Sequence, residues 1–291
     1  MKRRLILPLA ALAAFAQKPP DETVTATATQ DRTPRVAIVL SSFAGSKDHD
    51  DTPIAGLADP RAVGAELTSA QLDALVAKAI ELGTTRDGGL TAMVGPEDWV
   101  VILTEPGADP RVVRSLQTFL ATRRRGKRFT VAGPDDLGRA DTQEMPMPGG
   151  ERLYRIPKMI LQCDRLLRVG PLAAARSPLA AAPSPLADAE FVDRMNFHPP
   201  DYTLLTGPNL VVAGSDPLAV SSVAAQILGL DPEKLPYLRM AADRGLGVWE
   251  PGSIWTRGNE IDEARVALTS APRPASPRTT PASARTRRPV P

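Results

Sequence analysis

The chain has 291 residues, 43% of them hydrophobic, which is enough to bury a core and excludes a protein disordered throughout. Its formal charge of +2 is set by the ends: three basic residues precede position 17, five arginines lie in 269–291, and neither segment has an acidic residue. The body between them holds 27 basic and 33 acidic residues, net −6, so its charge offers no warrant for nucleic-acid binding.

The first residues read as a secretory signal. Lys2-Arg3-Arg4 precedes an apolar run from Leu5 to Ala16, and the small-x-small pattern Ala14-Phe15-Ala16 places cleavage after Ala16. A run of 12 residues falls short of the about 20 that cross a bilayer, and no later run is longer. The expectation is an extracytoplasmic protein, periplasmic or secreted, with no membrane span after signal cleavage. The division predicted is a signal peptide over 1–16, a polar lead over 17–33, an α/β body over 34–268 and a disordered Pro/Ala/Arg-rich tail over 269–291.

Within the body, Val36 to Leu40 is a continuous apolar run of strand length. Leu72, Leu75, Val76, Ala79 and Ile80 recur at spacings of three and four, which predicts a helix that Ser69 precedes and that ends near Gly83. Trp99 to Leu103 is a second buried strand after the turn Gly95-Pro96-Glu97-Asp98. Asp109-Pro110 caps and starts a helix carrying Val112, Val113, Leu116, Phe119 and Leu120, closed at Gly126 after Arg123-Arg124-Arg125. Phe129 to Ala132 is a third strand, and this strand, helix, strand order predicts parallel pairing in a mostly parallel sheet flanked by helices. Residues 134–150 read as a loop, 156–161 and 166–169 as core segments, and 171–189 as a flexible excursion with room for a short helix. Strands follow at Tyr202 to Leu205 and Leu210 to Ala213. Helices are then predicted from Pro217 to Gly229, from Asp231-Pro232 to Arg244, and from Glu260 to Leu268 after a last strand at Ile254 to Thr256.

The chemistry that the residues exclude is extensive. There is no G-x-S-x-G elbow, S-x-x-K pair, H-E-x-x-H, P-loop or complete G-x-G-x-x-G, so no cofactor is identified. The single Cys163 rules out an iron-sulfur cluster held by this chain alone, an intrachain disulfide and a thiolate zinc site. Within its apolar run it reads as a small buried residue or a reactive thiol.

Three local features remain as candidates. Asp48, His49, Asp50 and Asp51 follow a strand; they read as a solvated acidic loop or as a ligand site, with Asp48, Asp50 and Asp51 as metal ligands if any metal binds. Gly214-Ser215-Asp216-Pro217 turns a strand into a helix, where Ser215 and the free amides suit an anionic group while Asp216 acts as a plain cap. Arg155, Lys158 and Arg165 form either a set of anion contacts or a solvated face.

The stretch Leu210-Val211-Val212-Ala213-Gly214-Ser215-Asp216-Pro217-Leu218-Ala219-Val220, continued by Ile227 to Pro232 and Pro236-Tyr237-Leu238, resembles the C-terminal signature of the family known as domain of unknown function 362 (DUF 362). Residues 78–83, 98–102, 109–114 and 156–164 are similar to its other motifs, in matching order across roughly 35 to 268. The resemblance implies a divergent member without a ferredoxin domain, and it carries no settled activity. It also implies lost charge: relatives carry Lys and Asn where this chain has Leu103 and Glu105, Lys where it has Ala173, and Asp where it has Ser221. The functional expectation is an exported protein that binds a small anionic ligand or divalent cation through Asp48, His49, Asp51, Lys158, Ser215 and Asp216. The alternative is a non-catalytic structural or interaction protein whose site has decayed.

Overall fold

Strands that are apolar on both faces need helices on both faces of their sheet. The computed structural model describes residues 33–42, 67–83, 89–147, 152–175 and 185–270. The proposed signal, nearly all of the polar lead, the Asp48–Asp51 loop and the tail beyond Ser270 lie outside them. In chain order the elements begin with β1 (Arg35–Leu40), α1 (Ser69–Leu82), α2 (Gly89–Met93), β2 (Trp99–Thr104), α3 (Pro110–Thr122) and β3 (Arg128–Ala132). They continue with α4 (Pro134–Arg139), β4 (Thr142–Pro146), β5 (Leu153–Pro157), α5 (Lys158–Gln162), β6 (Arg165–Pro171) and α6 (Pro185–Met195). The chain then forms β7 (Tyr202–Gly207), β8 (Leu210–Gly214), α7 (Pro217–Ile227), α8 (Pro236–Ala242), β9 (Trp255–Gly258) and α9 (Ile261–Ser270).

Seven strands make one sheet in the order β3-β2-β6-β7-β8-β1-β9, so the runs at 36, 99, 129 and 210 do share a sheet. Every pairing is parallel except those on either side of β8. The protein is therefore an α/β fold with a mostly parallel sheet. Alternation along the strands splits the core in two. Ala37, Val39, Ile102, Leu167, Val169 and Leu204 pack on α1 and α3, while Val36, Ile38, Leu205 and Val212 pack on α7.

Local grammar accounts for most helix boundaries. Thr68 caps α1 in a reciprocal box with Gln71, one residue earlier than the periodic pattern suggests. Asp109 caps α3, with Pro110 at its first position. That helix ends at Thr122, so Arg123-Arg124-Arg125 lie beyond it, with Arg124 at φ 54°, and do not form its last turn.

Two sequence readings are corrected, and the room left for a short helix in 171–189 is used. Residues 134–147 are not a loop but contain α4 and β4, which pairs antiparallel with β5. The helix expected from Asp231 to Arg244 is broken into a 3-10 turn, Pro232–Lys234, and α8, because Pro236 forces Leu235 into an extended conformation. The 171–189 excursion contains a 3-10 turn, Leu172–Ala175, and the start of α6.

Gly83, which caps α1, approaches the sheet closely. A Cβ there would lie 2.7 Å from both the Ala213 carbonyl oxygen and the Tyr202 hydroxyl. The backbone carbonyl cannot give way, so Gly83→Ala is expected to cost about 1–3 kcal/mol. Urea denaturation measures this, and an unchanged midpoint would show that α1 is free to lift from β8.

Candidate functional site

The direction of β8 decides where the predicted residues fall. Val36 pairs with Gly214 and Leu40 with Leu210, so Ser215 and Asp216 emerge at the edge where the parallel strands begin. Residues following β1 and β2 leave from the opposite edge, and the loops at 41–42, 103–108 and 214–217 do not share one rim. Asp216 is a clamp: Oδ1 accepts from the amides of Leu218 and Ala219 at 2.9 Å, and Oδ2 accepts from Val248 at 2.9 Å. Burial pushes its pKa up against the pull of those three amides. With both oxygens committed to backbone, the α7 start is closed to an anion, and the capping reading holds there.

The basic trio is likewise engaged. Arg155 pairs with Glu144 at 3.4 Å, Lys158 with Asp141 at 2.7 Å, and Arg165 with Asp98 at 3.3 Å and Asp201 at 3.2 Å. Each cation is matched to its own carboxylate, so the three do not form a joint anion site. Asp48, His49, Asp50 and Asp51 lie outside the described residues. Among the described residues no three His, Cys, Asp or Glu side chains gather as a metal-binding group.

A different set of groups converges on Arg168. The β2 strand leads through α3 to β3 on one side, and its neighbour β6 leads through α6 to β7 on the other. Their carboxyl ends form the crevice where α/β sheets characteristically hold ligands. Arg168 projects from β6 on the face opposite Leu167 and Val169, with a side chain only 6% exposed. Its strand partners are Leu103 on β2 and Thr203 on β7. Glu105, just beyond β2, turns back so that Oε1 lies 2.6 Å from Nε and 2.5 Å from Nη2. Gly170 makes room for this carboxylate, because a Cβ there would collide with Oε2. Nη1 reaches Ser221 Oγ on α7 at 3.5 Å, and the guanidinium carbon lies 5.9 Å from the Phe191 ring centroid.

The hydrogen-bond accounting at this cluster does not close. Glu105 Oε2, Arg168 Nη2 and Thr203 Oγ1 are all shut from solvent without a hydrogen-bond partner; Nη2 touches Oε1 in distance but not in angle. Each such group costs roughly 1–3 kcal/mol, and buried polar groups in folded proteins are overwhelmingly satisfied. Around them, Ser221 donates to the Pro217 carbonyl at 2.8 Å and Tyr237 donates to the Ala175 carbonyl at 2.9 Å. Burial pushes the Tyr237 pKa up to about 12, and burial also raises that of Asp188, which is within electrostatic reach of Tyr237. The cluster thus offers a fixed cation, two carboxyl groups, the Ser221 and Tyr237 hydroxyls, whose protons are donated to carbonyls, and the unpartnered Thr203 hydroxyl.

The sequence contains a partial signal for this site. Glu105 and Ser221 stand out as positions where the resemblance places different polar residues, and both meet Arg168. Arg168 itself is hidden in a segment, Leu166 to Val169, that reads as plain core strand. Cys163 is 7% exposed, and its thiol donates to the Ile160 carbonyl at 3.5 Å, as a small buried residue would. Comparison with known proteins adds no name: no family model, curated protein or solved structure matches the chain.

Two predictions follow from these electrostatics. Removing Arg168 alone, as Arg168→Met, strands the Glu105 charge and should cost about 3–5 kcal/mol. The double variant Glu105→Gln with Arg168→Met should recover most of that loss, as read from a denaturation double-mutant cycle.

The second concerns His198, which lies 3.8 Å from Asp201 through Nε2 and 2.5 Å from the Ile160 carbonyl through Nδ1. Asp201, with help from Cys163 and the Ile160 carbonyl, raises the imidazole pKa from 6.5 to about 10. Because the folded value exceeds the unfolded one, this contribution is complete below pH 6.5 and is lost as pH rises toward 10. The Tm of the parent chain should therefore fall more steeply between pH 6.5 and 10 than that of His198→Gln.

Proposed function

We propose that this chain is an exported α/β binding protein for a small ligand bearing an anionic group, with Arg168 as the anchor. The observation that carries the reading is the set of buried, unpartnered groups on Glu105, just past the carboxyl end of β2, on Arg168, midway along β6, and on Thr203, beside it near the amino end of β7. A ligand that supplies hydrogen-bond partners to these groups offsets their desolvation penalty. The guanidinium at the centre disfavours a bare divalent cation, because Glu105 Oε1 is already engaged by it at 2.5 Å. The proposed kinship with the DUF 362 family is compatible with this place for the site, since two of its divergent positions, Glu105 and Ser221, border it. The basic, apolar and small-residue pattern of residues 1–16 supports export.

A second reading draws on the same ion pair: Glu105 neutralises Arg168 from within, as expected of a structural relative whose site has decayed. Differential scanning fluorimetry against small carboxylates and phosphates, with and without magnesium or calcium, separates the two. A ligand at a hundred times its Kd adds about 2.7 kcal/mol, or roughly 5–10 °C in Tm for a body of this size. The binding reading expects such a rise with at least one anion and its loss in the Glu105→Gln, Arg168→Met double variant. No rise with any compound leaves the structural reading in possession.

A further inference from the structure

The unsatisfied groups around Arg168 have a chemistry more specific than that of an anion site. Arg168 Nη2 touches Glu105 Oε1 at 2.5 Å without the angle of a hydrogen bond, whereas Glu105 Oε2 accepts from no donor. Both belong to one ion pair, so an unsatisfied donor and an unsatisfied acceptor stand on neighbouring side chains. The hydroxyls of Ser221 and Tyr237 have donated to the Pro217 and Ala175 carbonyls and can only accept further bonds. Asp188, 7% exposed, adds a second carboxyl group near Tyr237. Acceptors therefore outnumber donors, and a simple carboxylate or phosphate would satisfy Arg168 while adding negative charge beside Glu105. Phe191 and Tyr237, edge to face at 5.9 Å, supply an aromatic wall of the kind that favours an ammonium group.

Resting on the binding function proposed above, we infer that the ligand is a small zwitterion of the α-amino acid class, its carboxylate on Arg168 and its adjacent ammonium on Glu105. Thr203 Oγ1, fully buried on the neighbouring strand and unpartnered, completes the site as a hydrogen-bond donor to the carboxylate or acceptor from the ammonium. Its three unpartnered atoms are closed to solvent, so entry requires movement of the α6–α8 pair that carries Phe191 and Tyr237.

The test is isothermal titration calorimetry of the full chain, purified through a denaturing step to strip retained ligand and then refolded. The titrants are the common α-amino acids, their amides, their deaminated carboxylic acids, the corresponding amines and inorganic phosphate. The expected result is binding of at least one amino acid, with its amide, deaminated acid and amine each at least tenfold weaker. Glu105→Gln, which preserves shape, should narrow the gap between the amino acid and its deaminated acid. Thr203→Val, which keeps the strand packed, should weaken the amino acid several-fold while leaving the circular dichroism spectrum unchanged. Equal or tighter binding of the deaminated acid or of phosphate would overturn the zwitterion assignment and leave the anion-binding function standing. Absence of binding by every titrant, with the refolded chain matching the native one in Tm, would overturn both.

Discussion

Arg168 sits on a central strand covered on both sides, and its charge is met by Glu105. An ion moved from water into such an interior carries an effective penalty of several kcal/mol, which is recovered only by close and well-angled partners. Glu105 supplies the contact through one oxygen, and Gly170 clears the space that lets the carboxylate lie flat against β6. The pair separates two apolar regions of the same sheet face, one around Val101 and Leu166, the other under α7. Replacing either member by an apolar residue leaves the other stranded, so the loop after β2, the strand β6 and the second turn of α7 are bound to one another by charge as much as by packing.

The reversal at β8 organises the remainder. Because that strand alone runs against its neighbours, the β8-to-α7 turn falls at the opposite edge from the crevice between β2 and β6. Asp216 is then free to serve structure only, tying the start of α7 to the backbone at Val248. Gly247, at φ 150°, permits that approach, since a Cβ would overlap the Asp216 carboxylate. The starting edge is consolidated further by Arg165, which bridges Asp98 and Asp201 at the feet of β2 and β7. The starting edge of the sheet is thus locked by matched charges, while Glu105 meets Arg168 beyond the far end of β2.

Where local physics was strong, the chain announced its elements. The Asp109-Pro110 and Asp216-Pro217 starts, the three-and-four spacing over Leu72 to Ile80, and the apolar runs at Val36, Trp99 and Leu210 all mark real elements. The β4–β5 hairpin was hidden because β4 is polar and largely exposed, with no alternation to betray it. The break before α8 was missed although Pro236 stands in plain view; the apolar spacing across it imitates one continuous helix. For the site, the outcome was mixed. Glu105 and Ser221 stand out in the sequence and both reach Arg168, whereas the local chemistry of Asp216 and Lys158 is taken up by the backbone amides and by Asp141.

The amino-acid sequence by itself determined the helix caps, the buried strands and the α/β class, because each follows from contacts within a few residues or from a strand's own burial pattern. Only the tertiary structure decided that β8 runs backwards and that Glu105 and Ser221 meet Arg168, with Thr203 beside it on the next strand. Those residues are separated by up to 116 positions, and their convergence depends on strand order. A charge in an apolar run looks like an interruption until the fold shows what stands opposite it.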